Sequence, residues 1–219
     1  MINKTMGFLP ANNWALNIKK AAPKNTVQSK ATPFTQGIQL MLVSPVDEAR
    51  GRVESFIANG YQKHFNATLV EFFPVILAIK EIDSGHILGA VGLRYAEGDQ
   101  LFSEKYLMQS IESLISVKEG QSIDRKEVIE LGHFIVSETS NVNTVMPLVA
   151  QFLKSLDVKW AIYTLSRPIK IAFKRMGIQL THLQLADPEA LRHSKTNWGN
   201  YYDFKPAVYY SSIETNMNT

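Results

Sequence analysis

Two apolar runs, Phe72 to Ile82 and His86 to Tyr95, meet at Asp83-Ser84-Gly85. That joint predicts an antiparallel hairpin, because glycine supplies the backbone freedom a tight turn needs. The later strand-like runs are separated by stretches of helical spacing. A hairpin that continues into helix-separated strands predicts a mixed sheet with helices on both faces.

The flanking pattern fills in the order. Ile38 to Val43 reads as a short strand. Val46, Ala49, Val53, Phe56, Ile57, Tyr61 and Phe65 then recur at helical spacing, so a helix is expected over Pro45 to Phe65, with Ser44 as N-cap. Leu101 to Val117 carries Leu107, Ile111, Leu114 and Ile115 at the same spacing, and Val128 to Val136 reads as a strand. A second amphipathic helix is expected over Asn143 to Leu156, then a buried strand over Lys159 to Leu165. Pro168 to Met176 is expected as a helix ended by Gly177, Ile178 to Leu185 as a strand, Asp187 to His193 as a short helix and Ala207 to Ser211 as a last edge strand. No internal repeat or low-complexity segment interrupts this order.

The chain of 219 residues suits one domain, expected over residues 38–211. Residues 1–37 hold five lysines and three prolines but few clustered apolar residues; they read as a poorly ordered arm, and 212–219 as a tail. Net charge is +3, too little to argue for nucleic acid. With no cysteine, disulfides, thiolate metal sites and a cysteine nucleophile are excluded. The five histidines are spread without paired ligand spacing, so no metal is expected. No GxSxG or P-loop pattern occurs. No apolar run approaches the ~20 residues of a membrane span, and the N-terminus lacks a continuous apolar signal segment, so a soluble, cytoplasmic protein is expected.

Four stretches carry a family resemblance: Gly92-Leu93-Arg94-Tyr95; Leu101 to Leu107; Ile129-Glu130-Leu131-Gly132-His133-Phe134; and Ala186-Asp187-Pro188 followed by Asn197-Trp198-Gly199-Asn200-Tyr201-Tyr202-Asp203 and Pro206. In this order and spacing the chain resembles the thermostable hemolysin family. The resemblance implies a GNAT-like α/β fold, grouped with acyltransferases and acyl-homoserine lactone synthases. The third stretch is also similar to a glutamate-x-serine-arginine-phenylalanine signature of those synthases. Glu130 and Phe134 match it. Gly132 and His133 depart from its serine and arginine, which puts the synthases' own substrates in doubt. Where this chain has His133, the hemolysin family commonly carries asparagine. Arg94 stands where the synthases carry an arginine after the first hairpin.

Glu130 lies between Ile129 and Leu131 in a strand, where a glutamate is costly unless it faces a cleft or a partner. A carboxylate among apolar side chains has the raised pKa suited to taking a proton from an amine, so Glu130 is the first catalytic candidate. His133 is the second. Three residues on, it faces the opposite side of a regular strand, and a bulge at Gly132 would bring the two together. Arg94 and Glu104 read as an ion pair, a substrate clamp or two solvated charges, with Phe102 and Tyr106 as pocket wall. Thr164 and Arg167 flank the end of a buried strand, where ligands sit in open α/β sheets. Trp198 reads as packing, and Tyr202 and Asp203 as substrate contacts.

In GNAT enzymes a glycine-rich loop and a helix N-terminus hold the CoA pyrophosphate. The stretch corresponding to that loop here, Ser137 to Thr144, has neither glycine nor arginine. Asn141, Asn143 and Thr144 are its candidate cofactor contacts, Asn141 as a residue that tolerates left-handed backbone. The resemblance thus implies an enzyme moving an acyl group from acyl-CoA or an acyl carrier protein to a small amine. A membrane-acting hemolysin, or a non-catalytic binding module on an acyltransferase scaffold, are the alternatives.

Overall fold

The computed structural model describes residues 37–214 with the exception of Asp99. The expected arm, apart from Gly37, and residues 215–219 of the expected tail lie outside the described residues. Among the described residues, seven strands form one sheet: β1 (Ile38–Val43), β2 (Val75–Glu81), β3 (Ile87–Tyr95), β4 (Val128–Val136), β5 (Trp160–Leu165), β6 (Thr181–Leu185) and β7 (Ala207–Ser212). Their order across the sheet is β1-β2-β3-β4-β5-β7-β6. All neighbours are antiparallel except β4 and β5, which run parallel. A parallel pair needs a crossover, and the helix between those two strands supplies it.

Four helices among the described residues cover the sheet: α1 (Arg50–Phe65), α2 (Ile111–Glu119), α3 (Val142–Lys154) and α4 (Arg167–Arg175). On one face α3 buries Val145, Met146, Leu148, Val149, Phe152 and Leu153, beside Phe173 of α4. Side chains of this size contribute roughly 1.5–3 kcal/mol each when fully buried. The opposite face receives α1 through Val53, Ile57 and Tyr61, and α2 through Ile111 and Ile115. Alternation along β3 divides the two layers: a side chain at Gly89 would meet Val145 of α3, while Ala90 packs in the α1 layer.

Several expected boundaries move, each for a local reason. The first helix starts at Arg50, not Pro45, and Ser44 is not its N-cap. The Asp47 carboxylate instead accepts from both the Ser44 amide (2.5 Å) and the Ser44 hydroxyl (2.6 Å), closing a turn ahead of the helix and leaving Val46 91% exposed. The apolar spacing over 101–117 splits into a 3-10 turn, Ser103–Tyr106, and α2. Asp187 to His193 is likewise a 3-10 turn at Pro188–Leu191, capped by the Asp187 carboxylate on the Glu189 amide. The last strand, β7, is not an edge. It lies between β5 and β6 with Val208 and Tyr210 buried, and the edge falls to the exposed β6.

Candidate functional site

The sheet opens between its two parallel strands. Register partners of β4 and β5 run from Val128–Trp160 to Leu131–Tyr163 and stop there, although both strands continue. Beyond that point β5 pairs only with β7. The gap forms a cleft of about 470 Å³, within the roughly 300–1,000 Å³ of small-molecule sites. Its walls are apolar: Leu131 and Phe134 of β4, Met146, Val149 and Leu153 of α3, and Phe173 of α4. Ser137, Glu138 and Thr139, and Lys63 and His64 at the end of α1, add its polar lining.

Beside the split, β4 carries a bulge. Gly92 pairs with Gly132 and Ala90 with Ile135, so His133 and Phe134 together oppose Val91. His133 takes the left-handed conformation, φ 52°. The bulge anticipated at Gly132 therefore turns His133 onto the α1 face, the face that Glu130 occupies. Gly92 and Gly132 make the floor for Phe73, since a Cβ on either would stand 2.6 Å or less from that ring. Phe73 in turn packs edge-on against His133, with ring centroids 5.0 Å apart.

Glu130 and His133 line one small pocket of about 30 Å³ with Phe102, Tyr106, Thr164 and Trp198. His133, Thr164, Leu131, Gly132, Tyr61 and Tyr201 line both this pocket and the large cleft, so the two adjoin. Glu130 is 1% exposed. Its Oε2 accepts from the Phe102 amide at 2.8 Å, and its Oε1 from the Ser103 amide at 2.6 Å and the Ser103 hydroxyl at 2.5 Å. Burial pushes its carboxyl above the ordinary range, against the pull of these donors and of Arg94. The Ser103 hydroxyl also lies 3.0 Å from the Thr164 hydroxyl.

His133 stands among Tyr61, Phe72 and Phe73. Burial, helped by the charges of Arg94 and Arg50, pushes its imidazole down to about 3, so the ring is neutral near pH 7. Its Nδ1 and the Trp198 Nε1 are buried without a hydrogen-bond partner among the described residues. Trp198 is held by the loop around it. Gly199, at φ 53°, sits so close to the end of α1 that a Cβ would come 2.1 Å from the Phe65 carbonyl oxygen, and the Asn200 amide donates to that oxygen at 2.8 Å. The Trp-Gly motif is thus a strap that fixes an aromatic wall.

The other candidates distribute as follows. Arg94 pairs with Glu130 in the β3–β4 register and lies 5.0 Å from the centre of the Phe73 ring. Glu104 is not its partner. The Glu104 carboxylate holds the amides of Leu101 and Ile111 (2.9 Å each) and a bidentate Arg125 (2.6 and 2.8 Å). It caps α2 and ties the loop to it, a structural role. Tyr202 hydrogen-bonds Tyr106 hydroxyl to hydroxyl at 2.7 Å, behind the pocket wall. Arg167 and Asp203 are exposed and line neither cavity. Asn141 precedes α3 and donates to the Ser137 hydroxyl, while Asn143 and Thr144 lie in the first helical turn; the cleft lining at that end is Thr139 and Val142 instead. Ser103 was not anticipated, because a serine in a charged, aromatic loop carries no spacing signal. Only the fold brings it to Glu130.

A family model described as thermostable hemolysin matches residues 43–217. No curated protein matches the sequence. Among solved structures, the chain is similar to FeeM, an N-acyl amino acid synthase from uncultured soil microbes, at 8% identity and a TM-score of 0.56, covering 82% of this chain and 93% of that one. It is similar to the AHL synthase LasI at 10% identity and a TM-score of 0.51, over 80% and 89% of the two chains. It is also similar to BjaI, a CoA-dependent acyl-homoserine lactone synthase with SAM and isopentyl-CoA, at 11% identity and a TM-score of 0.52, over 83% and 87%. At such identities these likenesses establish the fold, a GNAT-like mixed sheet of the acyl-homoserine lactone synthase kind.

Proposed function

The chain belongs to the thermostable hemolysin family, and on that premise we propose that it transfers an acyl group from a thioester to a small amine. The observation that carries this reading is the split between β4 and β5: an apolar cleft that adjoins a small pocket holding a buried carboxylate. The cleft suits a hydrocarbon chain. The unpaired edges of β4 beyond Leu131 and of the bulge suit the amides of a pantetheine arm. The pocket suits the amine. Attack of the amine nitrogen on the thioester carbonyl forms the C–N bond. Collapse of the tetrahedral intermediate breaks C–S and releases the thiol, and Glu130 takes up the amine's proton.

The distribution of charge supports one donor class over the other. Between Asp157 and Asp187 the chain has five of its 23 Lys and Arg and none of its 20 Asp and Glu. α4, inside that segment, carries Arg167, Lys170, Lys174 and Arg175 and lends Ile169 and Phe173 to the cleft. Opposite, the loop before α3 presents Glu138 and no cation to a CoA pyrophosphate. This supports an acidic acyl carrier protein over acyl-CoA as donor. Among the described residues no helix is long and apolar enough to cross a membrane. A long-chain N-acyl product is itself an amphiphile, which offers a chemical route to membrane damage.

The test is thiol release from decanoyl-carrier protein and decanoyl-CoA in the presence of a mixture of small primary amines. Wild type is expected to release thiol and form amide, faster with the carrier. Glu130→Gln is expected to lower the rate about 100-fold or more, the usual scale of a lost acid–base group. No amide from either donor would sink the reading.

A further inference from the structure

Glu130 is poorly placed to meet an amine directly. It is 1% exposed, and Oε1 already takes two hydrogen bonds and Oε2 one. A chain of hydroxyls nevertheless leads from it to the junction of the two cavities. The Ser103 hydroxyl donates to Glu130 Oε1 at 2.5 Å. A serine has one hydroxyl hydrogen, and it is committed there. In the 3.0 Å contact between Ser103 Oγ and Thr164 Oγ1, Thr164 must therefore be the donor. That fixes the direction of the whole chain, and leaves the lone pairs of Thr164 Oγ1 as acceptors. Thr164 lines both the cleft and the pocket.

We infer that Thr164 and Ser103 form a proton relay that couples the reacting amine to Glu130; the inference rests on the acyl-transfer reading. As the amine nitrogen bonds to the thioester carbon, its proton passes to Thr164 Oγ1. The Thr164 proton passes to Ser103 Oγ, and the Ser103 proton to Glu130 Oε1. When the C–S bond breaks, the thiolate leaves with the electron pair. The chain then runs backwards: Thr164 protonates the thiolate, Ser103 restores Thr164 and Glu130 restores Ser103. No atom or charge is left over. Thr164 is the catalytic residue of this relay. Ser103 acts through it and is a positioning residue.

The relay is separable from the scaffold. The amides of Phe102 and Ser103 hold Glu130 whatever the side chain at 103, so Ser103→Ala removes the relay and keeps the anchor. Thr164→Val removes the hydroxyl at nearly constant shape, and Thr164→Ser restores it. The experiment measures single-turnover amide formation with decanoyl-carrier protein and the amine that wild type uses best, together with KM, melting temperature and the solvent deuterium effect against D2O fraction. Ser103→Ala and Thr164→Val are expected to slow the chemical step about 100-fold with KM little changed. Thr164→Ser is expected to recover most of the rate. The wild-type deuterium plot is expected to curve, as several protons move together, and the Ser103→Ala plot to be straight. Rates within twofold of wild type in both deletions, or Thr164→Ser as slow as Thr164→Val, would overturn the relay alone. A wild type that forms no amide overturns the acyl-transfer reading and takes the relay with it.

Discussion

At position 133 the chain turns through φ 52°, a conformation in which histidine, asparagine and aspartate are enriched among residues with a Cβ. The backbone of the bulge thus suits a histidine or an asparagine at this position. The ring leaves a measurable trace. Its folded value, about 3, is far below the ordinary 6.5 or so. Between those values the unfolded chain binds a proton that the folded chain does not. Stability therefore rises with pH across that window and is lost as pH falls, by up to about 1.4 kcal/mol per pH unit. His133→Asn keeps the turn and removes the titration. Urea midpoints measured from about pH 7 to about pH 4 are expected to fall less steeply in His133→Asn than in wild type; equal slopes would show that His133 is not buried neutral.

At the scale of elements, Glu104 shows how a plausible site residue becomes a structural one. Burial pushes its carboxyl up, but the hydrogen bonds from Arg125, Ile111 and Leu101 outweigh burial and hold it below the ordinary range. A depressed carboxylate stabilises the fold above its unfolded value, about 4.3, and that contribution is lost as pH falls through the folded value. Glu104→Gln is expected to cost roughly 2–3 kcal/mol near neutral pH, allowing for the partial exposure of Arg125. The gap from wild type should narrow once the pH is below about 4. Chemical denaturation at both pH values checks this, and a gap independent of pH would rule out the ion pair as its source. Residue patterning showed the strands, the α3 and α4 helices and the hairpin, because periodicity reports which face is buried. It missed the start of α1, where one aspartate closes a turn, and the interior place of β7, because strand order depends on contacts far apart in sequence. Glu130 and His133 were legible as a pair. Ser103 and the Glu104–Arg125 link were not, since each joins segments more than 20 residues apart.

For the molecule as a whole, the parting of β4 from β5 is the feature on which the proposed function turns. A fully paired sheet would leave no cleft; here the sheet is closed by β7 on one side of the gap and by β3 on the other, and the two helices that follow the parted strands wall it. Ala150 and Ala172 are the small residues of that helical wall, and in the proposed reaction they would set how much acyl chain the cleft can take. The most direct measurement is the rate of amide formation across donors of increasing acyl length, for wild type and for Ala150→Phe. The account predicts that wild-type rates rise with chain length to a maximum, and that Ala150→Phe moves the maximum to shorter chains, each excluded methylene costing about tenfold or more. A rate independent of chain length, or a profile that Ala150→Phe leaves unchanged, would contradict an acyl chain seated between β4 and β5.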